Sequence, residues 1–350
     1  MSLDKGLPTN DSQNKFDNNE QIETREAGRP ARGGALSKVK RHCARFWWVH
    51  LIIFCIIFLI IALCLVYVAM PKIAQHDVNA ANIEVTEFKF ENPTMETILL
   101  TQRAKLNNPS LYTPTLDSFA AASYLVTNGT FGPASIIHVQ MPEAHATKPY
   151  SKQEVVNQEV KIDDLDQLAA FATAVVSDEY VHTALVGKTK LHLGALPVVE
   201  VTFNDTSTYK GLNGLKGLNV TEVRINITAP AGIPNMVGNA FIPNPSVMTI
   251  EMGNVTLSLS TAEKGLVGTA SISDFVIVPG DNVLPMTGTL NQSLILASMD
   301  PTTGIANLQI KGTSVINNGV HLTYYEAALG ANSLPLAMNV TQVVRDSLGI

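Results

Sequence analysis

The sequence predicts a mainly β protein on one membrane span: two tandem antiparallel β-sandwich domains, one with an added helix, behind a single N-terminal transmembrane helix. Three observations carry that reading. Residues 46–70 contain no Asp, Glu, Lys or Arg. Beyond them apolar residues recur every second position, and turn signals such as Asn128-Gly129, Asn213-Gly214 and Asn317-Asn318-Gly319 interrupt the chain at short intervals. That is the rhythm of an antiparallel sandwich, whereas alternating helical and strand patterns would mark a βαβ fold. The 350 residues are 46% hydrophobic and 15% charged, against about 25% charged in an average globular chain. The formal charge of -6 supplies no basic face for nucleic acid.

Residues 1–45 are polar, rich in Asn, Gln and charge, and lack aliphatic periodicity. They bury too little surface to offset chain entropy and read as a disordered cytosolic tail. Residues 46–70 read as the transmembrane helix. Trp47, Trp48 and Tyr67 stand about 20 residues apart, close to 30 Å of helix, which sets aromatic rings at both interfaces. A cleavable signal peptide would begin nearer the N-terminus and carry a shorter apolar run. Arg29, Arg32, Lys38, Lys40, Arg41 and Arg45 precede the span, and only Lys72 closely follows it. Basic residues stay on the cytosolic side, so the expected topology is type II, with everything after the span lumenal or extracellular.

Sequons on that side are Asn128, Asn204, Asn219, Asn226, Asn254, Asn291 and Asn339, the expected glycosylation sites. The three cysteines, Cys43, Cys55 and Cys64, lie in or beside the span, so the lumenal part has no disulfide framework. Cys43, just cytosolic of the helix, is a candidate for S-palmitoylation.

Residues 71–80 read as a juxtamembrane linker, 81–212 as the first sandwich and 213–350 as the second. Half-buried strands are marked by Leu191 and Leu193, by Val223, Ile225 and Ile227, by Val255, Leu257 and Leu259, and by Ile272 ahead of Phe275. One amphipathic helix is expected at about 164–177, capped by Asp163 or Asp164, with Leu165, Leu168, Ala172, Val175 and Val176 at helical spacing. An internal repeat supports two domains. Asn108-Pro109-Ser110 recurs as Asn244-Pro245-Ser246, each ahead of an alternating stretch. The step is read as a strand start: Pro denies a ladder donor and Asn tolerates turn geometry.

Asn244-Pro245-Ser246 leading into Ile250-Glu251-Met252 resembles the Asn-Pro hallmark of LEA type 2 domains, which are fibronectin-III-like sandwiches. The run from Phe46-Trp47-Trp48 to Tyr67-Val68-Ala69-Met70-Pro71-Lys72 resembles the juxtamembrane signature of fungal single-pass membrane proteins bearing such domains, whose function is unknown. The resemblance implies Asn108, Pro109, Asn244 and Pro245 as the family motif. It also implies a vacuolar membrane home, and lipid binding by analogy of fold.

Motifs for chemistry are sparse. There is no His-Glu-x-x-His, no Gly-x-Ser-x-Gly and no phosphate-binding Gly-rich loop. His76, His138, His145, His182, His192 and His321 lack the spacing of a helical zinc site. Asp164-Leu165-Asp166 matches the Asp-x-Asp of lumenal glycosyltransferases but opens a helix, which makes it a cap. The sequence therefore predicts a non-enzymatic protein with no cofactor and no metal. Its partners are the lipid bilayer and a lipid ligand held by the lumenal domains, with no nucleic acid and with protein partners unknown. Flexible Met95, Met141, Met236, Met248, Met252, Met286 and Met338, and the Gly-Leu steps of residues 211–218, motivate the ligand. The alternatives are a scaffold recruiting a partner through its cytosolic tail and, further off, a lumenal glycosyltransferase.

Overall fold

The computed structural model describes residues 35–349 other than Ile227 and Ala231, with side chains from residue 46 onward. The expected disordered tail lies outside the described residues as far as residue 34; from Ala35 the backbone is helical. The side chain of Cys43 also lies outside them.

The described residues fall into two units divided after Ile60. Helix α1 (Ala35–Cys64) leaves helical geometry at Phe46 (φ -118, ψ 21), where the uncharged run begins. A π-helical turn, Leu65–Ala69, follows, and Met70 N–H donates to the Leu65 carbonyl. Pro71 explains the wide turn, because its ring has no N–H and crowds the carbonyl four residues back. Phe46–Ala80 is the one described helix long and apolar enough to cross a membrane.

Residues 71–80, expected as a linker, belong instead to helix α2 (Met70–Ala80). Pro71 suits its first turn, and Ala74 and Val78, four apart, are buried. Gln75 treats a strand edge as a neighbouring strand would: Oε1 accepts from Thr202 N–H at 2.8 Å and Nε2 donates to Thr202 O at 2.7 Å.

The protein is mainly β, in two sheets. In chain order the strands are β1 (Asn82–Glu91), β2 (Thr97–Asn107), β3 (Thr115–Leu116), β4 (Phe119–Thr127), β5 (Thr130–Phe131), β6 (Ile137–Met141), β7 (Ala144–His145), β8 (Tyr150–Lys161), β9 (Tyr180–His192) and β10 (Val199–Lys210), then β11 (Asn219–Ile225), β12 (Met236–Asn244), β13 (Met248–Thr261), β14 (Gly265–Ile277), β15 (Gly280–Leu290), β16 (Ile305–Asn317), β17 (Val320–His321) and β18 (Leu334–Asn339). Helices α3 (Leu165–Ser177), α4 (Gln292–Ala297), α5 (Thr323–Ala331) and α6 (Val340–Leu348) complete the chain.

The smaller sheet joins β3–β7 with β9 and β10. It packs on β1 and β2 through Leu185 and Tyr209 on one side and Val85, Phe88 and Leu100 on the other. The larger sheet carries the remaining strands in the order β11-β12-β15-β14-β13-β1-β2-β8, with β16 attached to β13 and both β17 and β18 attached to β16. The two halves of the chain thus share one sheet. Its joint is the parallel pairing of Phe88–Phe90 with Met248–Ile250. Farther along, the same edge of β13 passes to β16, from Asn254 to Ser260. Gly253 makes the exchange at φ +82, where an added Cβ would lie 2.6 Å from the Ile316 carbonyl. Only glycine fits a left-handed bulge that close to a backbone oxygen.

Helix α3 is the expected amphipathic helix: Asp164 caps it, accepting from Gln167 N–H at 2.9 Å, and Leu168, Phe171, Ala172, Val175 and Val176 are buried. Across the joint, Tyr324 Oη donates to the Thr94 carbonyl at 2.9 Å and Asn317 Nδ2 to the Pro93 carbonyl at 3.0 Å. The turn between β1 and β2 is therefore held by residues of the second half.

Candidate functional site

The C-terminal strands run β11, β12, β15, β14, β13, β16, β18 across the larger sheet and gather their apolar faces round a common interior. Period two produces this: Val255 and Leu259 on β13, Ala270 and Ile272 on β14, and Leu336 and Met338 on β18 are buried, and their neighbours face out. The interior holds a cavity of about 50 Å³ lined by apolar side chains, with no titratable group. Gly312 and Leu329 close one wall and the Leu215–Leu218 step another. Three of the methionines read as adaptable, Met236, Met286 and Met338, line it; Met248 and Met252 line a separate void of about 20 Å³ beside α3 and α5. Met141 is buried elsewhere in the core, and Met95 is partly buried at the core's margin.

The sheet does not close. Among the described strands, β11 pairs only with β12, and β18 only with β16. Between these two edges and under α6 lies a cleft of about 260 Å³, its walls including Val223, Glu222, Gln342, Val343 and Asp346. Val220, Leu336 and Met338 line both the cleft and the interior cavity. Those side chains alone are common to the two linings. Helix α6 seats Val340 and Val343 on the seam, and Ser347 Oγ accepts from Ile225 N–H at 2.8 Å, covering part of β11's free edge.

The Asn-Pro-Ser steps adopt one geometry twice. Asn244 Nδ2 donates to Met248 O at 2.8 Å, and its Oδ1 accepts from Ser246 N–H at 2.9 Å. Asn108 Nδ2 donates to Tyr112 O at 2.8 Å, and its Oδ1 accepts from Ser110 N–H at 3.0 Å. Pro109 and Pro245 sit in the middle of these side-chain-closed turns, where no ladder donor is required. The copies part at serine. Ser246 Oγ donates to Asn244 Oδ1 at 2.6 Å, whereas Ser110 Oγ donates to Asp77 Oδ2 at 2.6 Å and ties its loop to α2.

All seven sequon asparagines are exposed. Asn291 and Asn339 also cap α4 and α6 through Oδ1, and Asn254 Oδ1 accepts from Asp274 N–H at 3.2 Å. Asn128 sits in a hairpin turn at φ 51, and Asn204 lies on β10.

Four histidines lie near carboxylates: His76 by Asp77 at 3.5 Å, His192 by Asp117 at 2.9 Å, and two that also have a serine close by. His138 Nδ1 lies 2.6 Å from Asp163 Oδ2, an oxygen that also accepts from Ser135 Oγ at 2.7 Å. His321 Nδ1 lies 2.6 Å from Glu326 Oε1, with Ser314 Oγ 3.5 Å from the same nitrogen. A nucleophilic triad needs serine and carboxylate on opposite ring nitrogens, and neither cluster has that. Burial pushes the Glu326 carboxyl up, but the bonds from His321 and Val315 N–H outweigh it and leave it below its ordinary value. Both clusters brace helix starts, Asp163 before α3 and Glu326 in the first turn of α5. Among the described residues no three His, Cys, Asp or Glu side chains gather as a metal site.

Residues 134–259 match a family model described as a protein of unknown function (DUF3712). That stretch runs from just before β6 to near the end of β13, across the joint between the halves. No curated protein matches the chain. Among solved structures, a protein from Archaeoglobus fulgidus is 13% identical over 37% of this chain and 94% of its own, with a TM-score of 0.19. Red sea bream transglutaminase is 9% identical over 73% of this chain and 30% of its own, with a TM-score of 0.25. The periplasmic chaperone SfaE is 11% identical over 73% of this chain and 97% of its own, with a TM-score of 0.13. All three TM-scores lie far below that of a shared fold.

Proposed function

We propose that this is a non-enzymatic type II membrane protein whose C-terminal half binds an apolar ligand of the acyl-chain class, admitted between the edges of β11 and β18. One observation carries the reading: Val220, Leu336 and Met338 are walls of both the interior cavity and the cleft. The cavity of about 50 Å³ is a packed interior, not an open pocket. Ligand sites generally measure roughly 300–1,000 Å³. Movement of the Met338 side chain, unbranched with three rotatable bonds, joins the cavity to the cleft and brings the combined space to the lower end of that range. A thin chain fits such a slot, and the lack of a titratable group in the cavity favours hydrocarbon over a polar substrate.

In this proposal the basic flank places the N-terminus in the cytosol, and the binding half lies in the lumen of the secretory or vacuolar system. The LEA type 2 resemblance, the fungal setting and the vacuolar membrane belong to the same proposal, supported by the Asn-Pro-Ser steps and the membrane-exit sequence. The test is native mass spectrometry of the full-length chain released from micelles, comparing wild type with Met338→Trp, which blocks the passage, and Met338→Leu, which conserves volume. Wild type and Met338→Leu are expected to retain an acyl lipid that Met338→Trp lacks. Identical lipid loads in all three would refute the site.

A further inference from the structure

The edges of β11 and β18 present unpaired backbone groups, which in any sheet invite pairing with another chain. Part of that liability is already met. Pro335 stands in β18 without an N–H, and Ser347 Oγ occupies Ile225 N–H. The rest of both edges carries no charged side chain except Glu222 and Arg224.

Sequons cluster on these edges. Asn219 is the first residue of β11, Asn226 directly follows its last residue, and Asn339 is the last residue of β18. Asn219 and Asn339 are also walls of the cleft. In each of the three the carbonyl oxygen is engaged locally. Asn219 Oδ1 accepts from Val220 N–H at 2.8 Å, Asn226 Oδ1 from Thr228 N–H at 3.0 Å, and Asn339 Oδ1 from Gln342 N–H at 2.9 Å. Their Nδ2 atoms, the ones that carry a glycan, make no hydrogen bond among the described residues.

We propose that N-glycans on Asn219, Asn226 and Asn339 shield the β11/β18 seam, barring strand pairing with other polypeptides while leaving the slot open to a thin ligand. This rests on the lumenal placement proposed above. In the attachment step the amide Nδ2 displaces the diphosphate of a lipid-linked oligosaccharide donor. An N–C1 bond forms, the C1–O bond breaks with its electrons leaving on the phosphate oxygen, and the amide loses one proton. The secretory transferase supplies donor and catalysis.

The experiment uses the full-length chain from a secretory host, in detergent. Glycopeptide mass spectrometry reads occupancy at the three seam sites and at Asn128, a hairpin turn away from the seam. Thr221→Ala, Thr228→Ala and Thr341→Ala together then remove the acceptors while keeping each asparagine, including the Asn339 cap of α6. Light scattering is expected to show the apparent mass at least doubling in the triple variant, and Ala337→Lys, a charge on the exposed face of β18, restoring the wild-type mass. Enzymatic trimming of the folded wild-type protein should give the same association without any substitution. Occupied Asn128 with empty seam sites would overturn the shielding proposal alone, and empty sites throughout would overturn the lumenal placement as well. An unchanged mass in both the triple variant and the trimmed protein would also overturn shielding.

Discussion

Asn244→Ala should be more damaging than Asn108→Ala, although the two asparagines make the same turn. Asn244 is 3% exposed, and its partners Ser246 and Met248 are 4% and 0% exposed. Alanine leaves the Met248 carbonyl and Ser246 N–H without that partner in a site water does not reach, each costing about 1–3 kcal/mol. Losing the Ser246 hydroxyl's acceptor as well puts the expected total at about 4 kcal/mol. The turn also sets the start of β13, where Phe88 N–H donates to Val247 O at 3.1 Å, so the joint between the halves loosens with it. At Asn108 the acceptor residue Tyr112 is 49% exposed and water replaces that bond, while Ala146, whose carbonyl accepts from Asn108 Nδ2 at 3.1 Å, is buried and loses a partner, for about 2 kcal/mol in all. At about 2–4 °C per kcal/mol for a fold of this size, the melting temperature should fall by roughly 10 °C for Asn244→Ala and roughly 6 °C for Asn108→Ala. Thermal unfolding of the full-length chain followed by far-ultraviolet circular dichroism measures both. Equal falls, or a larger one for Asn108→Ala, would refute the argument that burial separates the copies.

Gly253→Ala should cost about 3 kcal/mol, from a left-handed φ and a Cβ 2.6 Å from the Ile316 carbonyl, with hydrogen exchange rising in β16; wild-type exchange there would refute the bulge argument. Asp164→Ala should cost about 1 kcal/mol through loss of the α3 cap. It should not alter nucleotide-sugar binding in a calorimetric titration, and a loss would revive the glycosyltransferase reading. Burial raises the Asp205 carboxyl above its ordinary 3.8, against opposing bonds from Ile83 N–H, the Ser207 hydroxyl and Thr206 N–H. The folded state then holds the proton more tightly than the unfolded chain, so stability falls as pH rises from 3.8 through the raised value. Asp205→Asn should therefore gain stability relative to wild type as pH climbs through that window, and parallel pH profiles would contradict it. Asp77→Ala should free Ser110, raising hydrogen exchange over residues 108–114, with no effect expected in the Asn244 turn.

Local patterns were readable where local physics decides the structure. Asp164 followed by Leu168, Ala172 and Val175 spells a capped amphipathic helix, and α3 is that helix. Val255 and Leu259 alternate with polar neighbours because one face of β13 is buried. The Asn-Pro-Ser repeat was visible because each turn is closed by its own side chain. Helix α2 was missed although Pro71, Ala74 and Val78 carried its signal, because ten residues after a membrane span read as a tether. Helix α6 was hidden behind Asn339, whose sequon drew attention from its capping role ahead of Val340, Val343 and Val344. The parallel joint of β1 with β13 could not be read at all. Strand partners some 160 residues apart leave no periodic trace, and parallel pairing across the halves depends on which edge is vacant after every other strand has paired. The shared lining of cavity and cleft is likewise invisible in sequence, since it needs Val220 and Met338 to meet from opposite ends of the sheet order.

The central claim is that an acyl chain enters the interior of the C-terminal strands through the β11/β18 seam. A diazirine-bearing fatty acid photolysed with the full-length protein in micelles, followed by peptide mapping, tests it most directly, because the membrane helix provides an internal comparison. Label in peptides holding residues 219–223 and 334–339, competed away by excess unlabelled fatty acid, is the expected result. Label confined to residues 46–80 would contradict the claim.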